Sequence, residues 1–95
     1  MNKYELALVL RPDLDEEAKA AELQKVQDHI VRFEGTVDKV DDWGKKRLAY
    51  PIQKLNEGFY YFIDFSAAGT TPAEIESRVR IMESVLRYLI VRKEG

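Results

Sequence analysis

The sequence predicts an α+β fold: a four-stranded antiparallel sheet with two helices on one face, in the order strand, helix, strand, strand, helix, strand. Three observations carry this reading. Tyr4-Leu6-Leu8-Leu10 and Phe59-Tyr61-Ile63-Phe65 place apolar side chains at every second position, the period of a strand. Both runs also carry apolar residues between those positions, as strands in the middle of a sheet do. Two other stretches space their apolar residues by three and four, the period of a helix that buries one stripe. The alternation of these patterns is that of the ferredoxin-like, or split βαββαβ, arrangement.

The first strand, Asn2 to Leu10, ends at Arg11-Pro12-Asp13, because proline lacks a backbone donor and Asp favours a turn. Asp15 is the expected N-cap of the first helix, with Glu16 and Glu17 placing negative charge at the positive end of its dipole. Leu23, Val26, Ile30 and Phe33 form its buried stripe, Glu22, Lys25, Gln27 and Arg32 stay wet, and Gly35 is expected to cap it after Glu34. Thr36 to Ile52 predicts a long, bent edge strand. Strand phase changes at Trp43-Gly44, because Val37 and Val40 differ in parity and glycine permits the backbone of a bulge. Just beyond, Lys45-Lys46-Arg47-Leu48-Ala49-Tyr50-Pro51-Ile52 sets three cations against an alternating pattern. Leu48 and Tyr50 share one face there, and Pro51 limits pairing.

Lys54 to Gly58 is the expected turn, with Asn56 and Gly58 supplying backbone freedom, and Phe59 to Phe65 is the third strand. Thr71-Pro72-Ala73-Glu74 reads as a capping box with Thr71 as N-cap, opening a helix that buries Ile75, Val79 and Met82. The last strand, about Leu86 to Arg92, alternates Tyr88 and Ile90 with Leu89 and Val91, and the pattern leaves open which pair faces the helices. In this topology the first and third strands are central and the second and fourth lie at the edges. Ala7, Val9, Tyr60 and Phe62 then remain on the helix-free face, where an apolar patch marks a binding partner.

Ninety-five residues suit one domain spanning 1–95. The absence of cysteine excludes disulfides, thiolate metal sites and cysteine nucleophiles, and it fits a cytoplasmic protein. No segment approaches the roughly 20 apolar residues of a membrane span, and Met1 to Arg11 lacks the pattern of a secretory signal. The net charge of −2 is unevenly laid out. Residues 1–42 hold 6 Lys/Arg against 11 Asp/Glu, and residues 43–95 hold 9 against 6, so the halves carry −5 and +3. A phosphate backbone would follow that local polarity.

Catalytic chemistry finds little support. His29, the one histidine, has no second histidine or cysteine with which to form a metal or nucleophile pair. Asp13, Asp15, Glu16 and Glu17 lack the glycine and final glutamate of a calcium loop, and the glycines are scattered at turns rather than grouped to hold phosphate. Cofactors and metals are therefore not expected. A small hydrolase of this fold would need Arg11 and Asn56 to converge on phosphate, and a small ligand-binding regulatory domain would pair its open sheet with itself. Aromatics on an open sheet also suggest base stacking. The base-stacking modules, however, carry Lys or Arg before a Gly-aromatic pair, where Glu57-Gly58-Phe59 stands here, so protein contact by Tyr60 and Phe62 is the favoured reading.

Lys3-Tyr4-Glu5, Leu10-Arg11-Pro12-Asp13-Leu14, Gly44 followed by Lys46-Arg47-Leu48-Ala49-Tyr50-Pro51-Ile52-Gln53-Lys54, Glu57-Gly58-Phe59-Tyr60, and Arg87 to Val91 resemble the family of the sixth protein of the bacterial small ribosomal subunit. The resemblance spans nearly the whole chain, and Arg-Leu-Ala-Tyr-Pro-Ile is its most specific part. It implies the same fold, binding to the central domain of 16S ribosomal RNA, and pairing with the eighteenth protein of that subunit. No membrane or small-molecule substrate is implied. On that resemblance Lys3, Tyr4, Arg47, Lys54, Arg80, Arg87, Arg92 and Lys93 form the RNA-facing set, and Leu48, Tyr50, Tyr60 and Phe62 the protein-facing set. The cations are expected to gather on a common rim and to contact mainly phosphate and sugar.

Overall fold

The computed structural model describes residues 1–93. Its elements are β1 (Asn2–Leu10), α1 (Glu16–Arg32), β2 (Thr36–Ile52), β3 (Leu55–Ala67), α2 (Thr71–Val79) and β4 (Val85–Lys93). All strand pairs are antiparallel, and the sheet order is β2-β3-β1-β4, so the two strands with apolar residues at consecutive positions are indeed central. Val26 and Ile30 of α1 and Ile75 and Val79 of α2 join Leu6, Leu8, Leu10, Ile63 and Phe65 in one fully buried cluster, which places both helices on the same face. Each such side chain contributes roughly 1.5–3 kcal/mol by leaving water. Tyr88 and Ile90 pack against this core, while Leu89 and Val91 are exposed. That resolves the alternation of the last strand.

The helix ends differ from the expected caps in instructive ways. Asp15 does cap α1, accepting a hydrogen bond from the Ala18 N–H at 2.7 Å. At the other end Glu34, not Gly35, takes the left-handed conformation, with φ 65°. The Glu34 N–H donates to Val31 O at 3.0 Å and the Gly35 N–H to Ile30 O at 2.8 Å, the paired bonds of a Schellman motif. Gly35 is needed for space, since a Cβ there would lie 2.8 Å from Ile30 Cγ2. The capping box of α2 does not form. Thr71 is already helical and buried, and its hydroxyl donates to Phe33 O at 3.1 Å. The C-terminus of α1 thereby gains a donor, at the expense of a side-chain cap on α2.

β2 and β3 form a long hairpin whose apex is Gln53-Lys54, at φ 51° and 66°. Two consecutive positive angles make a two-residue turn that follows the twist of the strands. The turn therefore starts one residue before the expected Lys54–Gly58 segment and ends at Lys54, and Asn56 and Gly58 belong to β3. Gly58 is buried at a close approach, with a Cβ there only 2.5 Å from Val9 Cγ1. The predicted bend at Trp43-Gly44 is present: the register slips between Asp42 and Gly44, Gly44 has φ 74°, and its N–H donates to Asp42 Oδ1 at 2.8 Å.

Candidate RNA and protein interface

Strand register decides what the helix-free face presents. Ala7 of β1 lies between Phe62 of β3 and Leu89 of β4, and Val9 lies between Tyr60 and Arg87. A small side chain flanked by two large ones leaves a hollow. Ala7, Val9, Tyr60, Phe62, Arg87 and Leu89 line a cavity of about 140 Å³. Trp43, thrown outward by the bulge, covers one flank of the face with its ring centroid 4.8 Å from that of Phe62 and tilted by 60°. Leu89, at 57 % exposure, and Val91 extend the apolar surface to the edge strand.

Of the three register slips between β2 and β3, at Val37/Lys39, Asp42/Gly44 and Arg47/Ile52, the last shapes the hairpin near its apex. Pairing runs to Arg47–Glu57 and resumes at Ile52–Leu55, so residues 48–51 of β2 stand opposite Asn56 alone. Pro51 lies in this bowed segment, where its missing N–H has no strand partner to satisfy. The bow brings Tyr50 toward the opposite edge of the sheet, with the Arg87 guanidinium 5.6 Å from its ring centroid. Arg11 Nη1 donates to Gln53 Oε1 at 3.2 Å and holds the apex from the end of β1. Leu48 and Val9 are both buried, at 8 % and 6 % exposure, yet neither belongs to the main core. The hairpin thus leans over the end of the sheet and shelters a second, smaller apolar region.

The cations fall into two groups rather than on one rim. At the outer end of β1, register sets Lys3 beside Lys93 and Tyr4 beside Arg92. Arg92 donates to Asn2 Oδ1 at 3.0 Å, and Lys93 Nζ lies 3.1 Å from Asp64 Oδ2. At the hairpin end stand Arg87, Arg47 and Lys54, with Arg80 exposed at the C-terminus of α2. Arg87 and Arg92 are five residues apart on one strand, or about 17 Å. Tyr4 is not on either rim: it is 7 % exposed and its ring stacks on Phe65 at 5.4 Å, with its hydroxyl accepting from Asn2 Nδ2 at 3.2 Å. Leu48 is likewise buried, whereas Tyr50 is exposed.

Trp43 and Leu89 also enlarge the apolar face, which the alternation pattern alone does not signal. Trp43 is legible only once the bulge fixes its direction, and Leu89 only once β4 is paired. Lys45 and Lys46 flank the same edge; Lys45 Nζ lies 5.2 Å from the Phe59 ring, with Lys19 Nζ at 4.1 Å. Lys19 is also 2.9 Å from Glu16 Oε1, and the hydrogen bond with Glu16 raises its pKa above the ordinary value. Burial is the main influence raising the Tyr61 pKa, with nearby Asp42 adding to it. Burial, then Arg78 and Arg32, lower that of His29. Arg11 is engaged with Asp13 and Gln53, while Asn56 lines a depression with Arg47 and Glu57, so the two do not form a phosphate clamp. Among the described residues no group of three or more His, Asp or Glu side chains is arranged to hold a metal, and no helix is long and apolar enough to cross a membrane.

The sequence model of the family described as ribosomal protein S6 matches residues 3–92. Small ribosomal subunit protein bS6 of Alkaliphilus oremlandii is 43% identical over 94 residues, covering 99% of each chain. The bS6 protein of Clostridioides difficile is 46% identical over 91 residues, 96% of this chain and 98% of its own. The crystal structure of 30S ribosomal protein S6 from Thermotoga maritima superposes with a TM-score of 0.92 at 30% identity, over 97% of this chain and 87% of that one. With family model, sequence relatives and fold in agreement over almost its whole length, the chain belongs to the ribosomal protein S6 family of the small ribosomal subunit.

Proposed function

We propose that this structural, non-enzymatic protein binds the central domain of 16S ribosomal RNA jointly with the eighteenth protein of the small subunit. One observation carries the reading: the helix-free face is apolar at its centre, with Arg87 at one end and Lys3 beside Lys93, next to Glu5 and Asp64, at the other. An apolar patch of this kind suits a protein partner. Tyr60 and Phe62 lie at its centre, Tyr50 at its margin, and the buried Leu48 supports the bowed segment that carries Tyr50. Arg47, Lys54 and Arg80 toward the hairpin end of the domain, and Lys3, Arg92 and Lys93 toward the other, suit two stretches of phosphate backbone. Arg87 stands where the apolar face meets the hairpin end. Tyr4 serves by holding the strand that presents Lys3.

Recognition by separated cations follows the shape of RNA, since an A-form helix hides its base edges in a deep groove. A domain of net charge −2 offers little overall attraction to a polyanion. The partner then supplies what the isolated domain lacks. Titration of central-domain RNA fragments with the protein, alone and with its partner, tests this: binding is expected to be weak alone and tight in the mixture. Tight binding by the protein alone contradicts joint recognition, and no binding in either case contradicts the RNA assignment.

A further inference from the structure

We propose that the cavity beside Ala7 is the anchor point of the protein-binding face and takes one aromatic side chain of the partner, flanked in the partner by a carboxylate. This rests on the reading that the helix-free face binds protein, and it adds the chemistry of the centre of that face.

The size of the hollow sets the first limit. Its volume of about 140 Å³ is close to the ~150 Å³ that accommodates benzene in an apolar protein cavity. A single six-membered ring fits it. The walls come from three strands fixed by their register, with Ala7 as the floor between Phe62 and Leu89. They are formed before any partner arrives, so little side-chain order has to be created on binding. Interfaces concentrate their affinity at such places, where an aromatic side chain enters a fitted hollow and loses its water.

The carboxylate follows from Arg87. It is the one charged residue lining the cavity. Among the described residues no carboxylate lies within ion-pair distance of it, and its guanidinium is steadied only by the Tyr50 ring at 5.6 Å. A guanidinium at an apolar rim pairs best with a planar oxyanion that arrives with the occupant. Arg87 thereby serves the protein partner, and phosphate contact falls to the other cations. A nucleobase is the less suitable occupant: Trp43 packs against Phe62 at 4.8 Å and restricts the ring surface on which a base would stack.

The test fills and then reopens the hollow. Association of the full chain with the partner protein is measured by calorimetry for the wild type, Ala7→Phe, Ala7→Phe with Leu89→Ala, and Arg87→Gln, each checked for a cooperative thermal transition. Ala7→Phe is expected to weaken association by about tenfold or more, as loss of an anchor does. Leu89→Ala in that background is expected to restore part of it, and Arg87→Gln to weaken it with a reduced dependence on salt. A folded Ala7→Phe variant that binds like the wild type overturns the anchor while leaving joint binding intact. Failure of the wild type to associate at all instead overturns the partner reading. As an independent probe, benzoate is expected to shift the amide resonances of Ala7, Phe62 and Leu89 saturably, and benzylamine to do so far more weakly. Equal responses to the two compounds, or stronger shifts from uridine monophosphate at the same amides, overturn the proposed occupant.

Discussion

Replacing Gly58 with alanine perturbs the seat from which the hairpin leaves the sheet. The added Cβ would lie 2.5 Å from Val9 Cγ1 and 3.0 Å from the Leu10 carbonyl oxygen. Neither neighbour yields easily. Val9 is β-branched, buried and stiff at χ1, and the carbonyl belongs to central strand β1. Overpacking of this degree typically costs about 1–3 kcal/mol. Against it, alanine reduces the freedom of the unfolded chain by about 0.4–1 kcal/mol. A net loss of roughly 1–2 kcal/mol is expected, which lowers Tm by roughly 4–16 °C in a domain of this size. Urea denaturation followed by circular dichroism, with thermal melts in parallel, measures it. Val9→Ala in the same background should recover part of the loss, giving a coupling of about 0.5–3 kcal/mol for residues in contact. An alanine variant as stable as the parent would falsify the claim that β1 and the hairpin meet too closely for a side chain.

Three further outcomes are expected. Arg80→Ala should weaken RNA binding in the two-protein complex and reduce the slope of log affinity against log salt by about 0.7–0.9, the share of one phosphate contact; an unchanged slope removes Arg80 from the interface. Thr71→Val should destabilise the fold by about 1–3 kcal/mol, because Phe33 O loses its buried donor, and an unaltered urea midpoint would show that water replaces the hydroxyl. His29 has a folded-state pKa below its ordinary 6.5, chiefly through burial and next through Arg78 and Arg32. The unfolded chain therefore binds the proton more readily, and the His29 contribution is full above pH 6.5 and lost as pH falls through the folded value. His29→Gln should flatten the stability profile below pH 6.5; parallel profiles for variant and parent would refute this.

The sheet order was legible because β1 and β3 carry apolar residues on both faces, a pattern that only central positions satisfy. The bulge at Gly44 was legible from the glycine itself, whereas the change of parity between Val37 and Val40 belongs to a separate register slip between Val37 and Lys39. Local end signals were less dependable. Thr71 has the residue type and spacing of an N-cap, but a carbonyl from the preceding helix competes for its hydroxyl, a partner 38 positions away that no local pattern records. The apex was placed too late because Asn56 and Gly58 are turn-forming residues. Gly58 answers instead to the side chain of Val9 across the sheet. The cations were found as residues but not as groups. Lys3 and Lys93 meet through strand pairing between the two ends of the described chain, and Arg47 is separated from them by the length of the sheet.

The apex itself is under load. Gln53 and Lys54 both hold a backbone conformation that glycine or asparagine adopts more readily, a penalty of about 1–2 kcal/mol for each residue. The neighbouring ladder and the single bond from Arg11 to Gln53 keep this corner wound. Glycine or asparagine at either position would wind the same corner at lower cost. The strain is confined to the outermost two residues of the hairpin, so relieving it would leave the sheet behind untouched.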